Sequence, residues 1–197
     1  RKKCLVVGAG DVGARKIATL LEANPVRVLV LDLAEPGEVM QALIKNAALT
    51  FEQRAFSQAD LEGISLAFAC TSNHELNREI ALQCRQKNIL VNIADAPELC
   101  DFILPGLVTC GDLNIAVSTS GKSPAMARKI RKKLDAQFGL EYELALGLLG
   151  RLRPMLLQLD LPTRENTNIF KALSADPVLE IIKKGQKDEL TAVLTKE

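Results

Sequence analysis

The 197-residue chain has no tryptophan, one tyrosine and one histidine, His74. So few aromatic faces leave no platform on which unpaired bases could stack, which sets single-stranded nucleic acid aside. A net charge of +1 excludes a global pull toward nucleic acid or an anionic membrane. No apolar run approaches the ~20 residues that cross a bilayer, so no membrane association is expected. The first β-prone run begins almost at once, with no secretory-type leader before it. The five cysteines, Cys4, Cys70, Cys84, Cys100 and Cys110, are odd in number and include no C-x-x-C pair. That argues against a disulfide framework or a thiolate zinc site and for a reducing, cytoplasmic setting. A lone histidine and scattered carboxylates form no metal-ligating constellation, so no metal site is expected.

Glycine, by contrast, is concentrated where it informs. Gly8-Ala9-Gly10-Asp11-Val12-Gly13 follows the apolar run Lys3-Cys4-Leu5-Val6-Val7 and opens a helical pattern. A strand, a G-x-G-x-x-G turn and a helix together make a pyrophosphate cradle. Gly8 allows the sharp turn, Gly10 lets the backbone approach the phosphates, and Gly13 lets helix and strand pack closely. Free N–H groups of the first helical turn and the helix dipole favour the anion. A second β-prone run, Val26-Arg27-Val28-Leu29-Val30-Leu31, ends in Asp32, about 20 residues on. An acid there accepts the ribose hydroxyls and repels a 2′-phosphate, which points to NAD.

The rest of the first half continues the alternation. A helix is expected over Gly37 to Asn46 and strands at Leu49 to Arg54 and Leu66 to Cys70. Leu76, Ile80, Ala81 and Cys84 give helical spacing within Glu75 to Lys87, and a strand follows at Ile89 to Ile93. Repeated βα units imply a parallel sheet whose ligand lies beyond the carboxyl ends of its strands, the edge that carries Gly8, Asp32 and Thr71. After residue 94 the pattern changes. Leu107 to Cys110 and Leu113 to Val117 flank Gly111-Asp112, a hairpin signal. Ser123-Pro124 starts a helix with Ser as N-cap and Pro at its first position. It runs to Phe138, and from Glu141 the chain reads as helical with breaks near Pro162 and Pro177. The expected organisation is α/β: a Rossmann-type NAD-binding domain (1–94), a small α+β region of hairpin and basic helix for dimerisation and substrate (95–138), and a helical C-terminal domain (139–197).

Three stretches could carry further chemistry. Asp95, just past a strand end on the cofactor edge, is either a turn aspartate or a base that accepts a proton as hydride leaves. Ser118-Thr119-Ser120-Gly121-Lys122-Ser123, followed by Arg128, Lys129, Arg131, Lys132 and Lys133, either holds a polycarboxylate at a helix N-terminus or is partly a solvated cationic face. Cys100 and His74 read as structural, the first for want of an activating histidine and the second as a polar residue opening a helix.

In four stretches the chain resembles the precorrin-2 dehydrogenase/sirohydrochlorin ferrochelatase family, the NAD-dependent module of siroheme synthase. They are Val6 to Lys16, Cys70 to Asn77, Val91 to Pro105 and Ile115 to Arg128, which span about residues 1 to 138 in the family's order. The resemblance implies oxidation of precorrin-2 to sirohydrochlorin with NAD as hydride acceptor and, in many members, insertion of Fe²⁺ as a second substrate. It puts the essential aspartate at Asp95. It puts cofactor contacts on Gly8, Gly10, Asp11, Val12 and the segment Asp32-Leu33, to which the glycine spacing adds Gly13 and the carboxyl edge adds Thr71. The tetrapyrrole's carboxylates are assigned to Ser118, Thr119, Ser120, Lys122, Ser123 and Arg128. A homodimer is also implied, with the region after the sheet interlocking the subunits. Ser72-Asn73 stand where the family often has two aspartates, and Thr119 stands where some members carry a phosphorylated serine. With no methyltransferase-like segment after residue 140, a stand-alone version is expected. The alternative from another class is an NAD-sensing regulatory domain of the kind that gates potassium channels, which shares the glycine turn and Asp32 and has no need of Asp95 or the basic helix.

Overall fold

The computed structural model describes residues 2–185, which divide after Leu104 into two compact units. The first is a doubly wound, Rossmann-type sandwich. β1 (Lys3–Val7), β2 (Arg27–Asp32), β3 (Leu49–Gln53), β4 (Leu66–Ala69) and β5 (Leu90–Ile93) form one parallel sheet in the order β3-β2-β1-β4-β5. Three helices complete it: α1 (Asp11–Glu22), α2 (Glu38–Leu43) and α3 (His74–Gln86).

The period-2 alternation of the strands builds two cores, one on each face. Leu5, Val7, Leu31, Ala67, Ala69, Val91 and Ile93 face α3 and meet its Ile80, Ala81 and Cys84. Cys4, Val6, Val28, Val30 and Phe68 face the other way and meet Ile17 of α1 and Met40 of α2. Register aligns the strand ends: Val7 pairs with Leu31 and Ala69, Asp32 with Gln53, and Ala69 with Ile93. Gly8, Asp32, Arg54, Thr71 and Asp95 therefore follow onto one carboxyl edge.

Two elements are shorter than the sequence pattern suggests. α2 stops at Leu43, because the Asn46 side chain accepts the Ala48 N–H at 2.9 Å and closes a turn where the helix would continue. β3 stops at Gln53, because the Arg54 N–H bonds back to Glu52 O and takes Arg54 out of the ladder. The stretch 95–104, which the sequence reading grouped with the hairpin, lies with the first unit. It doubles back along the edge of β5. Asp101 N donates to Val91 O, Val91 N donates to the Asp101 carboxylate, and Phe102 meets Phe68 edge-on at 5.7 Å. An otherwise open strand edge is thereby covered.

The second unit opens with an antiparallel hairpin, β6 (Gly106–Cys110) and β7 (Leu113–Val117), turned by Gly111 at φ +54°. Four helices follow: α4 (Pro124–Gln137), α5 (Leu140–Gln158), α6 (Thr163–Leu173) and α7 (Asp176–Lys184). Pro162 immediately precedes α6, Pro177 sits in the first turn of α7, and Pro154 lies inside α5. Among its described residues, Val108, Val117, Ala145, Leu173 and Val178 are the buried apolar ones. No helix among the described residues is long and apolar enough to cross a membrane.

Gly8 holds the first unit together at its tightest point. Its φ is +96°, and a Cβ there would stand 2.6 Å from the Cys70 carbonyl carbon. Replacing Gly8 by Ala should cost at least ~2 kcal/mol through backbone strain and overlap. The check is thermal unfolding, with a melting point several degrees below wild type.

Candidate functional site

The glycine turn is built by close backbone approach. Gly8 N donates to Leu31 O at 2.8 Å, and Cys70 N donates to Val7 O at 2.7 Å. A Cβ on Gly13 would collide with the carbonyl oxygen of Gly8. Gly10, the N-cap of α1, differs: nothing lies within 4 Å of a Cβ built on it. Ala14 N is paired to Gly10 O, so the N–H groups of Asp11, Val12 and Gly13 precede the helix's own ladder. Open space above a helix N-terminus with free donors fits a pyrophosphate.

Asp32 ties the turn to the second strand. One carboxylate oxygen accepts the Ala9 N–H at 2.5 Å and the other accepts the Ala34 N–H at 2.9 Å. Each oxygen keeps a second lone pair for a ribose hydroxyl. Around it lies a cleft of about 490 Å³ lined by Gly8, Gly10, Asp32, Leu33 and Thr71 of the expected cofactor residues. Asp11, Val12 and Gly13 form the first turn of α1 and are not among the cleft's lining residues. Arg54 and Phe56, which the sequence did not single out, also line the cleft, as do Cys70, Ser72, Asn73 and Leu76 of the motif stretch Cys70 to Asn77.

Thr71 is fixed by a residue the sequence reading passed over. Buried Asn77 of α3 accepts the Thr71 hydroxyl at 2.7 Å and donates its amide to Thr71 O at 2.9 Å. Asn73 caps α3 by accepting the Leu76 N–H at 3.1 Å, which leaves His74 exposed in the first turn. Both amides look like ordinary polar surface in the sequence. Only the pairing of a strand end with a helix start reveals them.

A second network crosses the sheet behind the turn. Lys16 Nζ donates to Asn92 Oδ1 at 2.7 Å and stands 5.5 Å from the centre of the Phe68 ring. Buried Asn92 donates to Phe102 O at 2.8 Å. Cys100 Sγ accepts the Ile93 N–H at 3.1 Å, which agrees with a structural role for that cysteine. Asp95 sits just past β5 in a left-handed turn, φ +59°, exposed and outside the cleft's lining. Its charge reaches Cys70, which does line the cleft. Burial pushes the Cys70 thiol up to about 11, the Lys16 ammonium opposes the shift and the Asp95 carboxylate adds to it. Among the described residues no group of three His, Cys, Asp or Glu side chains could hold a metal ion.

In the second unit the remaining expected residues share one loop–helix junction. Thr119 Oγ1 accepts the Ser123 N–H at 3.2 Å, Ser120 N donates to Ser118 Oγ, and Lys122 N donates to Thr119 O. Ser120 and Gly121 both take positive φ, and Ser123 Oγ caps α4 through Met126 N at 3.2 Å. Arg128, Lys129, Lys132 and Lys133 line one exposed side of α4.

Because Gly10 touches nothing, its replacement separates fold from binding. Gly10→Val should unfold at about the wild-type temperature yet bind NADH at least ~10-fold more weakly, since the side chain fills the phosphate space. Parallel thermal unfolding and fluorescence titration check both halves.

Comparison with known proteins agrees with this geometry. The family described as NAD(P)-binding matches residues 1–106, more than half of the chain. The segment described as sirohaem biosynthesis protein central matches residues 111–137, from the hairpin turn to the end of α4. A siroheme synthase from Nitrosomonas europaea is 31% identical over 94% of this chain and 39% of its own length. One from Methylococcus capsulatus is 30% identical over 97% of this chain and 40% of its own length. The chain thus spans about two fifths of the curated relatives it matches. A solved structure titled SirC, precorrin-2 dehydrogenase, superimposes with a TM-score of 0.77 at 19% identity, covering 98% of this chain and 94% of that one, and so has the same fold. The resemblance carried by the four motif stretches is borne out, and the chain belongs to the NAD(P)-binding family, with a sirohaem-biosynthesis segment following its nucleotide domain.

Proposed function

We propose that this protein oxidises precorrin-2 to sirohydrochlorin, with NAD as the hydride acceptor. The observation that carries the reading is the shared carboxyl edge. Asp95 follows β5, whose end is in register with the end of β4, on the carboxyl edge that also carries Gly8, Asp32 and Thr71. NAD, when bound, supplies a two-electron acceptor that takes hydride from the reduced ring. Loss of hydride leaves a cationic macrocycle that must shed a proton, and Asp95 is the base proposed to take it. Asp95 takes a left-handed turn, which aspartate tolerates, directly after the end of β5. Asp32 and the glycine turn hold the dinucleotide, and Thr71, braced by Asn77, shapes the wall beside it.

In the second unit, Ser118, Thr119, Ser120, Lys122, Ser123 and Arg128 suit the carboxylates of a tetrapyrrole. Hydroxyls, the Lys122 ammonium and the Arg128 guanidinium in the second turn of α4 are the donors such a ligand needs. Fe²⁺ is proposed as a further substrate with sirohydrochlorin, where the ring nitrogens are the ligands and Asp95 takes a displaced pyrrole proton. Two more features belong to the same proposal. Exposed Met126, Ile130, Leu107 and Leu140 favour a homodimer, and five free cysteines favour the cytoplasm. A purely NAD-sensing role has no use for a sirohaem-type segment at 111–137, so the enzyme is the favoured reading.

Incubation with precorrin-2 and NAD⁺ should raise NADH absorbance in step with the tetrapyrrole's spectral change. Asp95→Ala should lower turnover by ~10²-fold or more while NADH affinity moves by less than about twofold. Turnover that survives this substitution contradicts the role of Asp95. Sirohydrochlorin with Fe²⁺ and no NAD should yield a metallated product, and its absence would confine the protein to the redox step.

A further inference from the structure

The ribose end of the cleft holds a charge cluster that the glycine motif does not account for. Arg54 leaves β3 beside Asp32, since its neighbour Gln53 pairs with Asp32 in the sheet and donates its amide to Leu33 O at 3.2 Å. Arg54 lines the same cleft as Asp32, Leu33 and Ala34. A cation at this end of a Rossmann cleft ordinarily serves a 2′-phosphate. Here its donors are already spent. Nε donates to Glu52 Oε2 at 2.8 Å. Nη1 donates to Asp60 Oδ2 at 2.9 Å and to Ala55 O at 3.0 Å. Nη2 donates to Asp60 Oδ1 at 2.7 Å and also stands 2.7 Å from Glu52 Oε2.

The clamp is firm on one side. The Asp60 side chain is only 9% exposed and is further held by the Ser57 N–H at 2.8 Å, while the Arg54 side chain stays 41% exposed. The bidentate guanidinium holds the Asp60 carboxyl below its ordinary range, so it stays ionised. Two carboxylates, Glu52 and Asp60, fill the N–H edge of one guanidinium, and Asp32 lines the same cleft. The guanidinium's charge is matched by its own two acids, and it has no free donor to offer a dianionic phosphate.

We propose that Glu52, Arg54 and Asp60 form a cofactor-discriminating cluster that excludes a 2′-phosphorylated dinucleotide and admits NAD. The proposal rests on the reading of this cleft as the dinucleotide site and adds the residues that set its selectivity. Asp32 alone does not suffice: a free arginine beside it would offer a phosphate a partner, and the two acids withhold that arginine. Arg54 acts here as a specificity-determining residue, with Glu52 and Asp60 positioning it.

The test is fluorescence titration of the full chain with NADH and NADPH. Wild type should bind NADPH at least ~30-fold more weakly than NADH. Glu52→Gln removes the anionic partner of Nε and Nη2, weakens both contacts and should shrink that ratio by ~3-fold, and Glu52→Gln with Asp60→Asn by ~10-fold or more, with NADH affinity within about threefold of wild type. Adding Arg54→Ala to the double variant should restore the discrimination, because the released cation is gone. Wild type that binds both dinucleotides equally overturns the proposal, as does an unchanged ratio in Glu52→Gln, whose side chain is partly exposed and whose fold does not depend on the Asp60 cap. Wild type that binds neither dinucleotide overturns the cleft assignment and the proposal with it. Binding of NADH with unaltered variant ratios overturns the proposal alone.

Discussion

The first unit depends on how closely the β1–α1 turn approaches the end of β4. Gly8 lies against the Cys70–Thr71 peptide with no room for a side chain, and Gly13 lies against Gly8 in the same way. Those two contacts draw the start of α1 down onto the sheet and aim its free N–H groups along the carboxyl edge. Asp32 then pins the turn from the other side through Ala9 N. The cleft, its electrostatics and the position of Thr71 all follow from this one approach.

The polar groups around the turn are paired rather than left to solvent, and that pairing gives the site its fixed shape. Asn77 braces Thr71, Asn92 holds Lys16 and the Phe102 carbonyl, and the Glu52–Arg54–Asp60 cluster closes the ribose end. Buried amides with satisfied donors and acceptors are stiff supports. The reactive carboxylate of the proposal, Asp95, is the exception: it is exposed and lies in a left-handed turn.

Much of this was legible in the sequence because it is local. The strands announce themselves by short apolar runs, α3 by the spacing of Ile80, Ala81 and Cys84, and the cradle by glycines between a strand and a helix. Asp32 was legible because its distance from the glycines is fixed by one βα unit. Arg54, Asn77 and Asn92 were not, since each owes its role to a partner brought near by sheet order: Asp32 beside Gln53, Thr71 above α3, Lys16 across β4 and β5. The end of α2 differs for a local reason, as the Asn46 side chain accepts the N–H of Ala48, two residues on, where the helix would continue. Asp95 could be placed on the right edge from the strand pattern, and its left-handed backbone could not.

The account turns on the dinucleotide lying across the Gly8–Gly10 turn with its adenosine ribose on Asp32. A crystal structure of the protein soaked with NAD⁺ tests this most directly. The account predicts the pyrophosphate over the first turn of α1 and both ribose hydroxyls within hydrogen-bond distance of the Asp32 carboxylate, with the nicotinamide end running toward Thr71 and Asp95. A dinucleotide bound elsewhere, or one whose ribose leaves Asp32 untouched, would contradict it.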